Sequence, residues 1–469
     1  MTTPLSSAVS TAPVPRGRAG RRLGRWAGPA LVVALVAAAG ARFLADPDPA
    51  SPAAAPVAPT GPMEVVAGLE AAVAARPGDV AAWRQLGQAY LTQAALTGDA
   101  GYEQQAAAAF DRGAQLAPDD DGIALGRASL ALTQHRFADA AALGRRVLDA
   151  RPANPEALAV LVDAETELGR YDDAAAHLQV LLDVQPGVAA YSRAAYQREL
   201  RGDLDGALTA MVQAEAAAGG DLAGLAGDAR PRSALATVIA IQGDVLLAGG
   251  RVDEAAERYR RALDLVEDHA AATVGLARAE AGAGRLPMAQ RLLEGQLERA
   301  PTLGAAIALA DVQRRLGVSP GAEELIDTIA TIQRAGGANV DLELAVHLAD
   351  RGTPDVELAR RAYRERPSVH GADALGWTLT RAGRAQEALP YVDQALALGG
   401  VDPTLHVHAA FALEAVGDRS GATAALSRAA ERPFFARSVQ LDAARLAERL
   451  GVEVPTAWRA AGVPDGGRR

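Results

Sequence analysis

The chain of 469 residues contains no cysteine. That excludes disulfides, thiolate nucleophiles, cysteine zinc sites and iron–sulfur clusters. It contains no lysine either, since all 47 basic side chains are arginine. The phosphate-gripping lysine of a P-loop, the Schiff-base lysine of pyridoxal chemistry and the ATP-site lysine of kinases are therefore excluded. Aromatic residues make up only 4%. What is abundant is alanine, roughly a quarter of the chain and far above ordinary usage. With 49% hydrophobic residues there is enough apolar material for a core, so wholesale disorder is excluded. Alanine is the best helix former and a poor strand former, and the composition points to thin, closely packed helices.

The formal charge of −10 is unevenly spread. Residues 1–60 hold six arginines and two aspartates, a balance of +4, which leaves −14 for the rest. A body that acidic is repelled by phosphate backbones and anionic lipid, so no nucleic-acid partner is expected. Residues 1–25 read as a basic tail, with Arg16, Arg18, Arg21, Arg22 and Arg25 ahead of an apolar segment at 26–45. As a helix reaching Ala45 this segment rises about 30 Å, enough for a bilayer core if Arg42 snorkels outward. Stopped at Ala41 it rises about 24 Å, closer to the apolar region of a signal peptide, with Ala39-Gly40-Ala41 as a small-residue cleavage site. Both readings export the body, either behind a single-pass membrane anchor or as a secreted protein after cleavage. Residues 46–62 carry prolines at 47, 49, 52, 56, 59 and 62. Such spacing blocks helix and makes a semi-rigid linker of roughly 50 Å. Residues 461–469 read as a flexible tail.

Between 63 and 460 one unit recurs about ten times: an apolar helix, a glycine followed by a charged and an apolar residue, then an alanine-rich helix. The turns read Gly169-Arg170-Tyr171, Gly202-Asp203-Leu204, Gly250-Arg251-Val252, Gly284-Arg285-Leu286 and Gly383-Arg384-Ala385, with looser copies at His135-Arg136-Phe137 and Gly417-Asp418-Arg419. Glycine supplies the left-handed cap that side chains resist. Asp172, Asp205 and Asp253 are positioned to cap the second helices. Ala140, Ala174, Ala207, Ala255, Ala289 and Ala388 fall one turn into those helices, where small side chains let two antiparallel helices close up. Pro118, Pro152 and Pro186 are 34 residues apart. Breaks are expected near 219–233 and 335–341, the unit at 344–367 is degenerate, and 438–450 reads as a terminal cap shielding the last apolar face.

The Trp83-x-x-Leu86-Gly87-x-x-Tyr90 run, with Ala106, Phe110 and Pro118 behind it, resembles the tetratricopeptide-repeat family, whose helix–turn–helix unit is about 34 residues. The resemblance implies an all-α superhelical solenoid of stacked antiparallel helix pairs, here preceded by one N-terminal hydrophobic helix. The stretch 69–90 also resembles the opening repeat of bacterial cytochrome c maturation factors, which join a membrane anchor to a repeat domain. Together these imply a non-enzymatic interaction scaffold of the cell envelope that binds proteins or peptides on its concave face. The rival reading is a hydrolase with a site built across repeats.

Motifs for chemistry are scarce. The stretch 317–321, GVSPG, satisfies the nucleophile-elbow pattern, but a helix precedes it where the elbow needs a strand. None of the seven histidines makes the i, i+4 pair of a helical zinc site, and Asp119-Asp120-Asp121 lacks the later ligands of a calcium loop. No cofactor and no metal is expected. The first helices line the concave side in this family, and the register places Arg84, Gln88, Arg193, Tyr196, Asp244, Arg278, Arg314, Trp377, His408 and Phe411 there. Arginine and large aromatics dominate interface energetics. The family's lysine and asparagine clamp for a C-terminal carboxylate is missing at these places, so that ligand is not expected.

Overall fold

The computed structural model describes residues 62–219, 229–318, 321–431, 437–454 and 458. The basic tail at 1–25, the apolar segment at 26–45, the linker up to residue 61 and the tail at 461–469 lie outside the described residues. Among the described residues no helix is long and apolar enough to cross a membrane, and none forms a strand.

A first helix, α1 (Pro62–Ala75), precedes the repeats. Ten antiparallel pairs follow among the described residues. The first four are α2 (Val80–Thr97) with α3 (Gly101–Leu116), α4 (Asp121–Thr133) with α5 (Phe137–Ala150), α6 (Pro155–Glu167) with α7 (Tyr171–Val184), and α8 (Val188–Glu199) with α9 (Leu204–Ala217). The next three are α10 (Ala229–Ala248) with α11 (Val252–Leu265), α12 (Ala270–Gly282) with α13 (Leu286–Arg299), and α14 (Leu303–Leu316) with α15 (Ala322–Ala335). The last three are α16 (Asp341–Asp350) with α17 (Val356–Glu365), α18 (Val369–Arg381) with α19 (Ala385–Leu396), and α20 (Pro403–Ala415) with α21 (Arg419–Ala430). A final helix, α22 (Arg437–Leu450), buries Val439, Leu446 and Ala447 against the end of the array. The expected interruption at 219–233 ends earlier than the sequence implies, because α10 is already helical from Ala229.

Side-chain caps start the first helix of most pairs. Asp79 accepts from Ala82 N–H at 3.0 Å, Asp120 from Ile123 at 2.8 Å and Asn154 from Ala157 at 2.9 Å. Each satisfies an amide that the helix leaves free. The expectation for the second helices is corrected. Asp172, Asp205 and Asp253 lie inside the first turn rather than at the cap, where their charge favours the helix dipole. In α9 it is Asp203 that caps, accepting from Gly206 N–H at 2.9 Å.

The pairs lock together through aromatics set into glycine notches. A Cβ added at Gly87 would lie 2.5 Å from the Phe110 ring, and one at Gly126 would lie 2.3 Å from it. Phe110, on a second helix, is thus gripped between its own first helix and the next one. Tyr259 repeats the arrangement between Gly243 and Gly275, with distances of 2.6 and 2.3 Å. The six alanines noted above are fully buried, as close approach of the helices demands.

The array then closes on itself. Gln296 Nε2 donates to the Thr97 carbonyl at 3.2 Å, and Gln134 Nε2 donates to the Gly336 carbonyl at 2.9 Å. Asn339 N–H donates to the Gln134 carbonyl at 2.8 Å. Arg366 pairs with Glu167, and Val369 N–H donates to Tyr171 Oη at 2.7 Å. A Cβ at Gly202 would lie 2.8 Å from Val401. The hydrogen-bonded partners are 198 to 205 residues apart, close to six units of 34. One superhelical turn therefore takes about six repeats, and the next turn seats on its edge along a seam. The sequence break at 335–341 and the degenerate unit at 344–367 both fall on that seam.

The notches set a direct test. Gly126→Ala drives a methyl into Phe110, so it should cost about 1–3 kcal/mol and lower the Tm. Gly304 is helical with open space around it, so Gly304→Ala should raise stability by up to about 1 kcal/mol. Thermal unfolding of both variants checks the pair; shifts of the same sign would contradict the packing account.

Candidate interaction surface

The ten residues singled out on the first helices fall into four groups, and the structure treats them differently. Arg193 on α8 is sealed, with 2% exposure. Its Nη2 pairs with Asp163 at 2.5 Å, Nε donates to the Ala159 carbonyl at 3.1 Å and Nη1 to the Ala189 carbonyl at 2.9 Å. Its charge is spent joining α8 to α6. Tyr196, one turn on, donates to Glu167 Oε1 at 2.8 Å. Burial would raise the Glu167 carboxyl, but Arg366 and then His370 outweigh it and hold the group below its ordinary range. Arg193 and Tyr196 thus belong to the wall and the seam rather than to an open groove.

The second group is half-buried. Asp244 on α10 accepts from Tyr259 Oη at 2.6 Å, and burial pushes its carboxyl up to about 6. Arg278 on α12 stands close enough to counter that shift in part. Glu199 at the end of α8 completes the group. Burial, with the like charges of Asp244 and Asp402, raises it to about 8. Its Oε2 has no hydrogen-bond partner among the described residues. Asp402 comes from the following superhelical turn, where it caps α20 by accepting from Thr404 N–H at 2.8 Å. This acidic group therefore spans both turns.

Trp377, His408 and Phe411 form the third group. The Trp377 and His408 rings stack at 4.1 Å between centroids and 6° between planes, and Phe411 lies 5.5 Å from Trp377 at 55°. Trp377 Nε1 donates to Asp350 at 2.7 Å, and Arg381 covers the indole at 5.2 Å. His408 Nδ1 meets both Asp373 oxygens at 3.0 Å. Burial disfavours its charge, but Asp373 more than compensates and raises it above the usual histidine range. Trp377 is 1% exposed, so it packs α18 against α20 and offers no face for a partner. Only Phe411 keeps part of its surface.

Arg84, Gln88 and Arg314 remain. Arg84 is half-buried on α2, its guanidinium lying over Gly122 of α4. Gln88 is buried. Arg314 pairs with Glu323 at 2.5 Å and Asp311 at 3.2 Å. Glu323 also meets Arg351 and His347. Burial and then Arg314 push His347 down to about 4, so its contact with Glu323 is a hydrogen bond to a neutral ring near pH 7. Among the described residues no cluster of histidines and carboxylates has the makings of a metal site.

Sequence reading missed Asp163, Glu167, Glu199 and Arg366. The first two carry a visible signal: both are carboxylates on a helix whose other residues are almost all buried. Arg366 has none, because its partner lies 199 residues away.

Two consequences are measurable. Trp377→Ala removes a sealed indole and its hydrogen bond, so it should cost about 3–5 kcal/mol and register in chemical denaturation. A mere loss of binding with unchanged stability would contradict its placement. The second concerns Glu199, whose folded pKa lies above its unfolded value. It stabilises the fold below pH ~4.5 and that contribution is lost as pH rises through about 8, at up to ~1.4 kcal/mol per unit. Glu199→Gln should therefore be more stable than the parent above pH 8 and nearly equal to it at pH 5. Parallel pH profiles of Tm would refute the assignment.

Comparison with known proteins agrees with the repeat architecture. Tetratricopeptide-repeat family models match residues 131–197 in one case, and 99–155 and 242–302 in another. No curated protein matches the chain. Among solved structures, a human IFIT1 dimer with m7Gppp-AAAA is 15% identical, over 72% of this chain and 86% of that one, with a TM-score of 0.43. Yeast Tom70 is 12% identical over 82% of this chain and 97% of its own, with a TM-score of 0.31. A tetratricopeptide repeat protein from Parabacteroides merdae is 17% identical over 53% and 91%, with a TM-score of 0.35. These scores are too low to carry any reading of a ligand or partner.

Proposed function

We propose that this chain, a carrier of tetratricopeptide repeats, is a non-enzymatic interaction scaffold that holds protein or peptide partners on the first helices of its coil. The observation that carries the reading is the contrast among those helices. Arg193 and Trp377 are consumed by packing, whereas Arg84, Arg278 and Asp244 keep part of their surface on the same set of helices. A groove with separated arginines and carboxylates selects partners by charge complementarity and excludes like-charged ones. Neither cofactor nor nucleic acid belongs to this reading.

The proposal extends to location. The +4 balance of residues 1–60 against −14 for the remainder supports a cytoplasmic basic tail, a single-pass anchor at 26–45 and a body outside the cytoplasm. The envelope is then where the partners are.

A photo-crosslinking residue at position 84 or 278, with position 325 on the outward side of α15 as the control, tests the surface in cells. Adducts are expected from 84 and 278 and not from 325, where Leu325 is 44% exposed. Equal adducts from all three would overturn the face assignment. Carbonate extraction tests the location, with full-length protein expected to stay in the membrane pellet. Release of a shortened chain beginning at Arg42 or Asp46 would replace the anchor by a cleaved signal.

A further inference from the structure

The contacts within a superhelical turn and the contacts between turns are made of different chemistry. Within a turn, neighbouring pairs hold each other by buried alanine, leucine and the aromatics seated in glycine notches. Between turns the hydrogen bonds and the ion pair use residues mostly outside the repeat pattern, and the apolar contacts are few, with Val369 and Leu398 joining the core of the first turn and Val401 facing Gly202. Gln134 and His135 occupy a turn where other units carry glycine. His135 is the one non-glycine with a left-handed backbone among the described residues, at φ 56°, and its Nδ1 lies 3.0 Å from the Asn339 carbonyl. That conformation costs an L-residue energy, and it brings the ring to the partner turn.

The central rung is Glu167 with Arg366. Both side chains are almost fully enclosed, and the guanidinium also lies 5.5 Å from the centre of the Phe137 ring. The next carboxylate to Arg366 is Glu343 at 3.5 Å, and Arg366 Nη2 is buried with no partner among the described residues. A charge pair closed off in this way stays favourable only while both members are present, because removing one leaves the other uncompensated. The rungs at Thr97, Gln134, Glu167 and Gly202 recur at successive repeats, so the seam is continuous along four units. Loss of its central pair disturbs the between-turn contacts and leaves the apolar contacts of each pair in place.

We infer that the seam is a latch: the coil opens between its two turns when the Glu167–Arg366 pair is broken, while the helix pairs stay folded and stacked within each turn. Opening turns a closed coil into an extended spring and gives side access to the first helices.

Small-angle scattering and far-UV circular dichroism on the full chain test this. Arg366→Gln should keep the helical signal and raise the radius of gyration by about 10% or more over the compact parent. The absence of native cysteine permits a clean lock. A Cβ at Gly98 would lie 3.3 Å from the Ala270 Cβ across the seam, near disulfide spacing. Because Gly98 has a left-handed φ of 77°, which strains any side chain, the same cysteine pair in the parent is the control and should leave its radius unchanged. Adding Gly98→Cys with Ala270→Cys to Arg366→Gln should restore the parent radius when oxidised and release it when reduced. If Arg366→Gln fails to fold, Val401→Arg, which crowds Gly202 across the seam without stranding a buried charge, takes its place. A folded seam variant with the parent's radius would overturn the latch, as would one whose radius the oxidised lock leaves unchanged.

Discussion

The closed coil holds at its seam a buried charge pair that the repeat pattern does not call for. Arrays of stacked helix pairs are quasi-one-dimensional, because each unit touches only its neighbours and stability is a sum of local terms. Here Glu167 and Arg366 meet across 199 residues and tie the third unit to the eighth. Taking two charges out of water is costly, and their mutual attraction barely repays it. What the pair contributes is register. Sliding one turn past the other by a single unit would leave two buried charges unpaired, so one stacking of the turns is far better than its alternatives.

The packing inside each turn has the opposite character. It is apolar, local and repeated, and its scale is set by small side chains. Phe110 and Tyr259 each fill the space that two glycines vacate, and buried alanines let the second helices lie close to the first. A composition of few aromatics and much alanine suits such packing, since a few rings suffice when each is gripped from two sides. The places where the pattern fails, around 335–341 and 344–367, are where the second turn must reach the first. Their loops and short helices carry Asn339 and Arg366 to the seam in place of continuing the regular stack.

Closing the coil also changes the electrostatics of its interior. Burial pushes Glu199 and Asp402 upward, and the like charges of Asp244 and Asp402 raise Glu199 further, while Asp163 and Glu167 are held against arginines. Histidines 269 and 347 are driven neutral by burial, but Asp373 outweighs burial at His408 and raises it above the usual histidine range. The same residue types thus serve opposite ends. Paired groups fix helices to helices, while Arg84 and Arg278 stay partly exposed on first helices.

The helix–turn–helix repeat, the glycine turns and the terminal cap helix were all legible in the sequence, because each depends on residues within one or two units of each other. Periodicity and cap chemistry act over that range, so a linear pattern records them. The candidate surface was legible only as a register: the ten positions lie on first helices, yet whether such a residue is open or sealed depends on what arrives from elsewhere. Arg193 and Trp377 look like interface anchors in the sequence, and neighbouring units bury them both. Sequence alone determined the repeat and its local packing. The tertiary structure alone decided the closure of the coil, the pairing of Glu167 with Arg366 and the division between wall and surface, since these depend on superhelical twist, a small rotation per repeat that no single residue encodes and that brings distant units together only when summed over six of them.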